Sequence, residues 1–141
     1  MDHQRVTIRP ATAADLAAMA AIQAISPEAS QWDPAGYLVH DCRVASVDGR
    51  IVGFLVTRQV GPGEREILNL AVHPAVRRTG VARGLLRDVL ERSKGAWFLE
   101  VRASNAAAIQ LYESAGFERA GRRQDYYYEP AEDGIVMRFF S

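Results

Sequence analysis

The stretch from residue 77 to residue 83, Arg-Arg-Thr-Gly-Val-Ala-Arg, combines positive charge with small residues and has the composition of an anion-binding loop. It follows an apolar run, Ile67–Val72, that predicts a buried strand, and it leads directly into a helical pattern. The first N–H groups of a helix have no partner within the helix, and the helix dipole adds positive potential at that end. A strand, a basic loop and a helix start therefore predict a cradle for a phosphate group. The predicted contacts are Arg77, Arg78, Thr79, Gly80, Val81, Ala82 and Arg83.

The helical pattern after the loop has one apolar face and one charged face. Lys94-Gly95 is predicted to end this helix with glycine at the C′ position, and Trp97–Val101 follows as a second buried strand. Two buried strands joined by a helix predict a parallel, right-handed βαβ unit, in which ligands bind at the carboxyl ends of the strands. The apolar face of the helix is predicted to hold Val81, Leu85, Leu86, Val89 and Leu90.

The residues at the start of the chain predict an edge strand and then helix. The edge strand is expected at Val6–Arg9. Thr12 and Asp15 have the spacing of a capping box, so a helix is expected from there to about Ala24. A short second helix is expected from Pro34 to about residue 40. The inner face of the first helix is predicted to hold Leu16, Met19 and Ile22 or Gln23.

The remaining elements complete one α/β domain. Asp48-Gly49 lies between two apolar runs and is a strong hairpin signal, joining strands at 42–47 and 51–60. After the second buried strand, Ser104 or Asn105 is predicted to cap a helix that ends near Gly116. Two final strands, 117–124 and 135–140, are expected to flank a loop carrying Tyr126, Tyr127 and Tyr128. The prediction is a single domain over residues 1–141, with a mixed central sheet and a parallel βαβ unit at the cofactor site.

The composition narrows the class of function. The 141 residues include 17 Lys and Arg and 17 Asp and Glu, so the formal net charge is zero and no global field favours nucleic acid. The lone cysteine, Cys42, excludes an internal disulfide and a cysteine-built zinc site, and it is expected in the core; no metal is predicted. No apolar run approaches the length of a membrane span, and no signal-peptide pattern opens the chain. A cytoplasmic protein is expected, with no membrane partner.

Two motifs resemble a known superfamily. The form Arg-x-x-Gly-x-Ala at residues 77–82 resembles the acyl-CoA pyrophosphate loop of the GNAT superfamily of N-acetyltransferases. Residues 99–112 read Leu-Glu-Val-Arg-Ala-Ser-Asn-Ala-Ala-Ala-Ile-Gln-Leu-Tyr, which is similar to the RimI-like ribosomal-protein alanine N-acetyltransferases of that superfamily. The Arg-x-x-Tyr-Tyr segment at 123–127 also resembles this branch, whereas residues 26–32 depart from its pattern.

The resemblance implies acetyl-CoA as the co-substrate and assigns residues to it. Asn105 is implied to bond an amide of the pantetheine arm, although it fits equally well as a helix N-cap. Tyr112 is implied to be the general acid for the departing thiol, with a core tyrosine as the alternative. Glu100, a carboxylate in mid-strand, is favoured as the general base over Glu66. Backbone N–H groups of Leu70, Ala71 and Val72 are implied to bind the thioester oxygen and the arm.

The acceptor is expected to be the α-amine of a protein N-terminus. An α-amine with a pKa near 8 is neutral for about one molecule in ten at pH 7, but a lysine amine near 10.4 for only about one in 2,500. Transfer to a small-molecule amine and a non-catalytic acyl-CoA-binding module remain as alternatives. Trp32, in the departing segment, fits either a core position or a substrate entrance. A monomer and a homodimer are both compatible with the sequence.

Overall fold

The computed structural model describes residues 5–26, 32–77, 79–127 and 131–141. Within them, seven strands belong to one sheet with the order β1-β2-β3-β4-β5-β7-β6. The strands are β1 Val6–Pro10, β2 Asp41–Val47, β3 Arg50–Gly61, β4 Glu64–Val72, β5 Ala96–Arg102, β6 Glu118–Tyr127 and β7 Glu132–Phe140. The α-helices are α1 Leu16–Ala24, α2 Val81–Arg92 and α3 Ala106–Ser114, and short 3-10 helices lie at Ala13–Asp15, Pro34–Val39 and Pro74–Val76.

The sheet is mixed, as predicted. β4 and β5 run parallel, with Glu64 opposite Ala96 and Glu66 opposite Phe98. The pairs β1–β2, β2–β3, β5–β7 and β6–β7 are antiparallel. A parallel pair of strands requires a long crossover connection, and here α2 lies within it. The predicted fold class, with its parallel βαβ unit, is confirmed.

The chain forms two compact units, one of Met1–Arg58 and Leu68–Arg92 and the other of Gln59–Ile67 and Ser93–Ser141. In the first unit, the apolar face of α2 is buried at all five predicted positions. Cys42 is also buried, as predicted, and burial raises the pKa of its thiol to about 12. One buried cluster of this unit comprises Met19, Ile22, Tyr37, Cys42, Val44, Phe54, Val56 and Ala71.

The turn between β2 and β3 confirms the Asp-Gly hairpin signal. Asp48 has φ 51° and Gly49 has φ 79°, so both central residues adopt the left-handed conformation that tight hairpins require. Val47 and Arg50 pair directly across the turn. The turn therefore sets the start of β3, which runs on to Gly61.

The predicted end of α2 is wrong. The helix ends at Arg92, and Gly95 lies beyond its C′ position with φ 128°. A Cβ at Gly95 would overlap the carbonyl oxygen of Gly63, and the neighbouring N–H of Ala96 donates to that same oxygen at 2.9 Å. The glycine is needed for this close approach of two backbones rather than for a helix cap.

The predicted tyrosine loop is also wrong where the structure describes it. Tyr126 and Tyr127 belong to β6, and Tyr127 pairs with Glu132 of β7. Asp125 has φ 50°, and its N–H donates to the Asp133 carboxylate at 2.8 Å, which anchors this irregular part of the strand. Tyr128 lies outside the described residues. No helix among the described residues is both long and apolar enough to cross a membrane.

Asp15 anchors the predicted capping box to the first strand. Its carboxylate accepts the N–H of Thr12 at 2.8 Å, as the box requires. Both guanidinium nitrogens of Arg9 also donate to it, each at 2.8 Å, which is the strong bidentate geometry. The Asp15 side chain is only 7% exposed, and its hydrogen bond with Arg9 is the main cause that lowers its pKa to about 2. The start of α1 therefore depends on an ionised Asp15.

We expect Asp15→Asn to lower the free energy of unfolding by roughly 2 kcal/mol at pH 7, because it removes the charge from a cap and a bidentate pair. The folded-state pKa lies below the ordinary 3.8, so this stabilisation is complete above about pH 3.8. It is lost as the pH falls through about 2. Urea unfolding of both proteins from pH 7 to pH 2 measures the difference.

Asp88→Asn is the matched control. Asp88 pairs with Arg92 one helical turn away on a partly exposed face of α2, at 3.0 Å. Such surface pairs contribute about 0.3–0.5 kcal/mol. Equal losses in the two variants would contradict a special role for Asp15.

Candidate active site

The predicted phosphate loop forms a tight entry into α2. The 3-10 helix Pro74–Val76 precedes it, and the side chain of His73 caps that helix by accepting the N–H of Ala75 at 3.0 Å. The Thr79 hydroxyl donates to the Val76 carbonyl. Arg77 is exposed, and Arg78 lies outside the described residues. The segment thus forms a short, hydrogen-bonded turn in which Arg77 and Thr79 are exposed.

Gly80 provides the open position of this loop. It has φ 88°, and no described residue places a heavy atom within 4 Å of where a Cβ would stand. The N–H of Gly84 donates to the Gly80 carbonyl at 2.9 Å, which closes the first turn of α2. The N–H groups of residues 81–83 therefore have no acceptor within the helix. Open backbone, orphan N–H groups and the exposed cation Arg83 suit an anion.

The end of β4 is held closely against β3. Ala71 is buried, whereas Leu70 and Val72 are half-buried. A Cβ at Gly53 of β3 would lie 3.1 Å from the Ala71 carbonyl oxygen and 3.2 Å from Val72 Cγ2. The N–H of His73 donates to the Val52 carbonyl at 2.7 Å just after the strand. Little space is left for this part of the backbone to shift toward β3.

Glu100 lies in the middle of β5 and uses one of its two carboxylate oxygens. Nη1 of Arg123 donates to Oε1 at 2.9 Å. The Arg123 guanidinium is 3.9 Å from the centre of the Tyr126 ring, and this stacking holds it in place. Oε2 is buried and has no hydrogen-bond partner among the described residues. An ionised oxygen without a donor is costly and marks a candidate functional atom.

Gly134 of β7 makes room for this free oxygen. A Cβ at Gly134 would stand 2.9 Å from Glu100 Oε2 and 3.3 Å from ring atoms of Tyr126 and Tyr127. Only glycine leaves the carboxylate and the two rings undisturbed. The two rings meet edge to face with their centres 5.1 Å apart. The backbone of β7 at Gly134 therefore comes close to Oε2 and to both rings.

Tyr112 is buried in α3 and meets Phe117 edge to face, with ring centres 5.6 Å apart. Burial raises the pKa of Tyr112, and the nearby Tyr127 raises it further. Burial also raises the pKa of Tyr127 to about 12, with the charge of Glu100 as the next cause. Tyr127 thus interacts electrostatically with both Glu100 and Tyr112. All three residues lie in one compact unit. The two tyrosines remain neutral phenols at pH 7.

Asn105 is the N-cap of α3. Its Oδ1 accepts the N–H of Ala108 at 3.1 Å, so the capping role considered from the sequence is the one observed. The cap uses only the oxygen, and the side-chain NH₂ retains its capacity to donate. Glu132 of β7 holds the residue before the cap, since it accepts the N–H of Ser104 at 2.5 Å and pairs with Arg102 at 3.4 Å. The amide of Asn105 is therefore firmly placed.

Glu66 and Trp32 complete the predicted positions. Glu66 is half-buried in β4, in the same compact unit as Glu100 and Tyr112. Trp32 is 51% exposed, so it is not a core residue. Residues 27–31 of the departing segment lie outside the described residues. The loop residues 77–83 and the end of β4 belong to the other unit.

Two residues of the site escape prediction from sequence. Arg123 lies 23 positions from Glu100, and the Arg-x-x-Tyr-Tyr segment was the only sign of its importance. Gly134 lies at neither a helix end nor a tight turn. The sequence shows it only as a glycine between two charged residues and an apolar strand, which can indicate a close approach of other groups. Both depend on strand pairing, because β7 pairs with β5 on one side and with β6 on the other.

Comparisons with known proteins agree on one family. The model of the acetyltransferase (GNAT) family matches residues 13–117. The N-alpha-acetyltransferase RimI of Mycobacterium tuberculosis is 35% identical, over 97% of this chain and 94% of its own length. The ribosomal protein bS18-alanine N-acetyltransferase of Escherichia coli is 43% identical over 64% of each protein.

A solved structure agrees with these matches. The crystal structure of the ribosomal-protein-S18-alanine N-acetyltransferase from Escherichia coli superposes with a TM-score of 0.82 and 32% identity, covering 96% of this chain and 93% of that one. A family match over most of the chain, a relative aligned nearly end to end and a shared fold lead to the same assignment. The chain belongs to the GNAT family and is an N-acetyltransferase that uses acetyl-CoA.

Proposed function

We propose that this enzyme acetylates the N-terminal α-amine of a protein, with Glu100 as the general base and Tyr112 as the general acid. The observation that carries the proposal is the buried Glu100 Oε2, which has no hydrogen-bond donor among the described residues. An amine supplies the missing donor. The names of two relatives support the class of acceptor, since one is an N-alpha-acetyltransferase and the other acts on an alanine of ribosomal protein bS18.

Glu100 has the geometry of a fixed base. Arg123 holds Oε1 at 2.9 Å, so the carboxylate cannot rotate freely, and Oε2 is left to accept a proton from the attacking amine. Oε2 itself is buried, and burial strengthens its interaction with a positively charged ammonium. Loss of that proton leaves a neutral nitrogen, which is the nucleophile of direct acyl transfer.

Tyr112 is proposed to act as a hydrogen-bond donor toward the leaving sulfur. An ordinary phenol is about 1.5 pKa units weaker as an acid than a thiol, so full proton transfer costs roughly 2 kcal/mol. Burial raises the pKa of Tyr112 and increases that cost. A hydrogen bond that strengthens as the sulfur gains negative charge lowers this cost. The phenol proton then passes to the departing sulfur, and the proton released by the newly acetylated nitrogen restores the phenol.

Acetyl-CoA supplies the acetyl group as a thioester when it is bound. The loop fits its pyrophosphate, because the backbone at Gly80 is open and residues 81–83 present N–H groups without helical acceptors. The N–H groups of Leu70, Ala71 and Val72 are proposed to bind the thioester oxygen and the pantetheine arm. Asn105 is proposed to contribute its side-chain NH₂ to the arm, in addition to its cap.

The first prediction concerns the acceptor. A peptide with a free N-terminal alanine and an internal lysine should be acetylated on the α-amine, because deprotonation of that amine at pH 7 costs roughly 3 kcal/mol less than deprotonation of lysine. The matched substrate is the same peptide with a blocked N-terminus, which should react at least about 100-fold more slowly. Mass spectrometry after proteolysis locates the acetyl group. Preference for the lysine, or for free polyamines over both peptides, would favour a different acceptor class.

The second prediction concerns the loop. Gly80→Glu fills the open position and adds a negative charge, so the Kd for acetyl-CoA should rise about 100-fold or more by calorimetry. Gly49→Glu is the matched control, because Gly49 has a similar φ of 79° and is equally open, but it lies in the β2–β3 turn. It carries the same strain and the same added charge. Equal affinity of the two variants would place the pyrophosphate elsewhere.

The third prediction concerns the base. Glu100→Gln keeps an oxygen toward Arg123 and therefore places an NH₂ group at the position of Oε2, where it cannot take a proton. We expect kcat to fall about 10²–10⁴-fold, with partial rescue at higher pH, where the amine deprotonates without help. Glu66→Gln, a carboxylate of the same unit, should lose less than about fivefold. Initial rates from pH 6.5 to 9.5 measure both.

A second pair of variants tests the same oxygen without changing Glu100. Gly134→Ala places a methyl group 2.9 Å from Oε2 and should reduce kcat/KM for the acceptor about 10-fold or more. Gly121→Ala, in the adjacent strand β6, meets no described heavy atom within 4 Å and should be nearly silent. A silent Gly134→Ala together with a damaging Glu66→Gln would move the base to Glu66.

A further inference from the structure

Three buried polar side chains from separate elements form a closed hydrogen-bonded triangle in the first unit. Tyr37 of the 3-10 helix Pro34–Val39 donates its hydroxyl to Gln23 Oε1 of α1 at 2.6 Å. Nδ2 of Asn69, on β4, donates to that same oxygen at 3.1 Å and to the Tyr37 hydroxyl at 3.0 Å. The three residues are 2–6% exposed. We refer to Gln23, Tyr37 and Asn69 as the polar triangle.

The polar triangle is not the simplest way to fill this part of the core. Its neighbours are apolar, and Tyr37 packs against Phe54 with ring centres 5.8 Å apart. Burying polar groups costs free energy even when they are bonded, and replacing a bonded set by apolar groups of similar shape is often neutral or stabilising. Stability alone therefore gives little reason for an amide at position 69.

Asn69 is the one polar residue in the apolar half of β4, Ile67–Val72. Leu68, Leu70 and Val72 alternate with Ile67, Asn69 and Ala71, so both faces of this segment are otherwise apolar. Where both faces of a strand are alike, hydrophobic patterning specifies its orientation weakly. Hydrogen bonds are directional, and a single buried asparagine can fix an alignment that apolar contacts leave open.

The polar triangle also reaches Trp32, the last residue of the departing segment. Nε2 of Gln23 donates to the backbone carbonyl of Trp32. The Trp32 and Tyr37 rings lie 6.4 Å apart. One connected set of bonds therefore runs from Trp32 through Gln23 to β4, immediately before the strand residues Leu70–Val72.

We propose that Gln23, Tyr37 and Asn69 are positioning residues that align β4 for acetyl transfer. The inference rests on the proposed function, in which the N–H groups of residues 70–72 bind the thioester. Because β3 approaches closely on one side at Gly53, the bonds of Asn69 set the rotation of the strand about its own axis. That rotation decides where the next N–H groups point, and an error of about 1 Å at a reacting group can reduce the rate about 10²-fold.

The test separates positioning from stability. Asn69→Leu has a similar shape and no polar atoms. We expect its melting temperature to fall by no more than about 10 °C, because the Tyr37–Gln23 hydrogen bond remains. Its KM for acetyl-CoA should stay within about threefold, and its kcat should fall about 10–100-fold. Cys42→Ala is the matched control: it perturbs the same buried cluster without a hydrogen bond, so it should lower the melting temperature and leave kcat unchanged.

Tyr37→Phe is a second variant of the polar triangle, and it removes only the hydroxyl oxygen. It should lower kcat about three- to tenfold, and the double variant Tyr37→Phe/Asn69→Leu should be no slower than Asn69→Leu alone, because the network is already broken. The assay uses whichever acceptor wild type acetylates. Failure of wild type on every α-amine would count against the proposed function. A folded Asn69→Leu with full kcat, or two single losses that multiply in the double variant, would overturn this inference alone.

Discussion

A carboxylate in the middle of a sheet strand is the constraint around which the second unit is built. Glu100 on β5 cannot be solvated as a surface side chain is, so the neighbouring strands must supply its environment. Arg123 of β6 donates to one oxygen, and Gly134 of β7 leaves space for the other. The order β5-β7-β6 brings these residues together although they are distant in sequence. One carboxylate oxygen thus has a hydrogen-bond donor, and the other is left for a ligand.

The polar triangle and the Glu100 site differ in a way that matches their proposed roles. In the polar triangle, Asn69 Nδ2 donates to two acceptors, and each of the three bonds connects one element to another. At Glu100, one oxygen has no donor among the described residues. Satisfied groups hold elements in place, whereas an unsatisfied one is ready to bind. The first kind suits the alignment of a strand, and the second suits proton transfer.

Local signals predicted the elements well, and contacts between distant strands limited the rest. The face of α2 follows from helical periodicity alone, and the Asp48-Gly49 turn follows from the left-handed conformation that it requires. Gly95 was misassigned because it is required by the close approach of the Gly63 carbonyl, which lies in the turn between β3 and β4, far away in the sequence.

The same limit applies to the site. Tyr126 and Tyr127 were placed in a loop because the pairing of β6 with Glu132 of β7 is not visible in the local sequence. The motif around Glu100 and Asn105 could be recognised, but the polar triangle joins Gln23 and Asn69 across 46 positions without any motif. Geometry of this kind comes from the packed sheet and not from the local sequence.

The proton balance of the proposed reaction connects the site to its acceptor. Burial raises the pKa values of Tyr112 and Tyr127, so neither phenol easily becomes a charged base at pH 7. Deprotonation of the amine then rests on Glu100, whose Oε1 is held by Arg123 while Oε2 stays available as the proposed base. An α-amine needs about 1.4 kcal/mol to reach its neutral form at pH 7, and a lysine needs roughly 4.6 kcal/mol. The α-amine, whose proton is already weakly held, is therefore the better match to Glu100 as the proposed base.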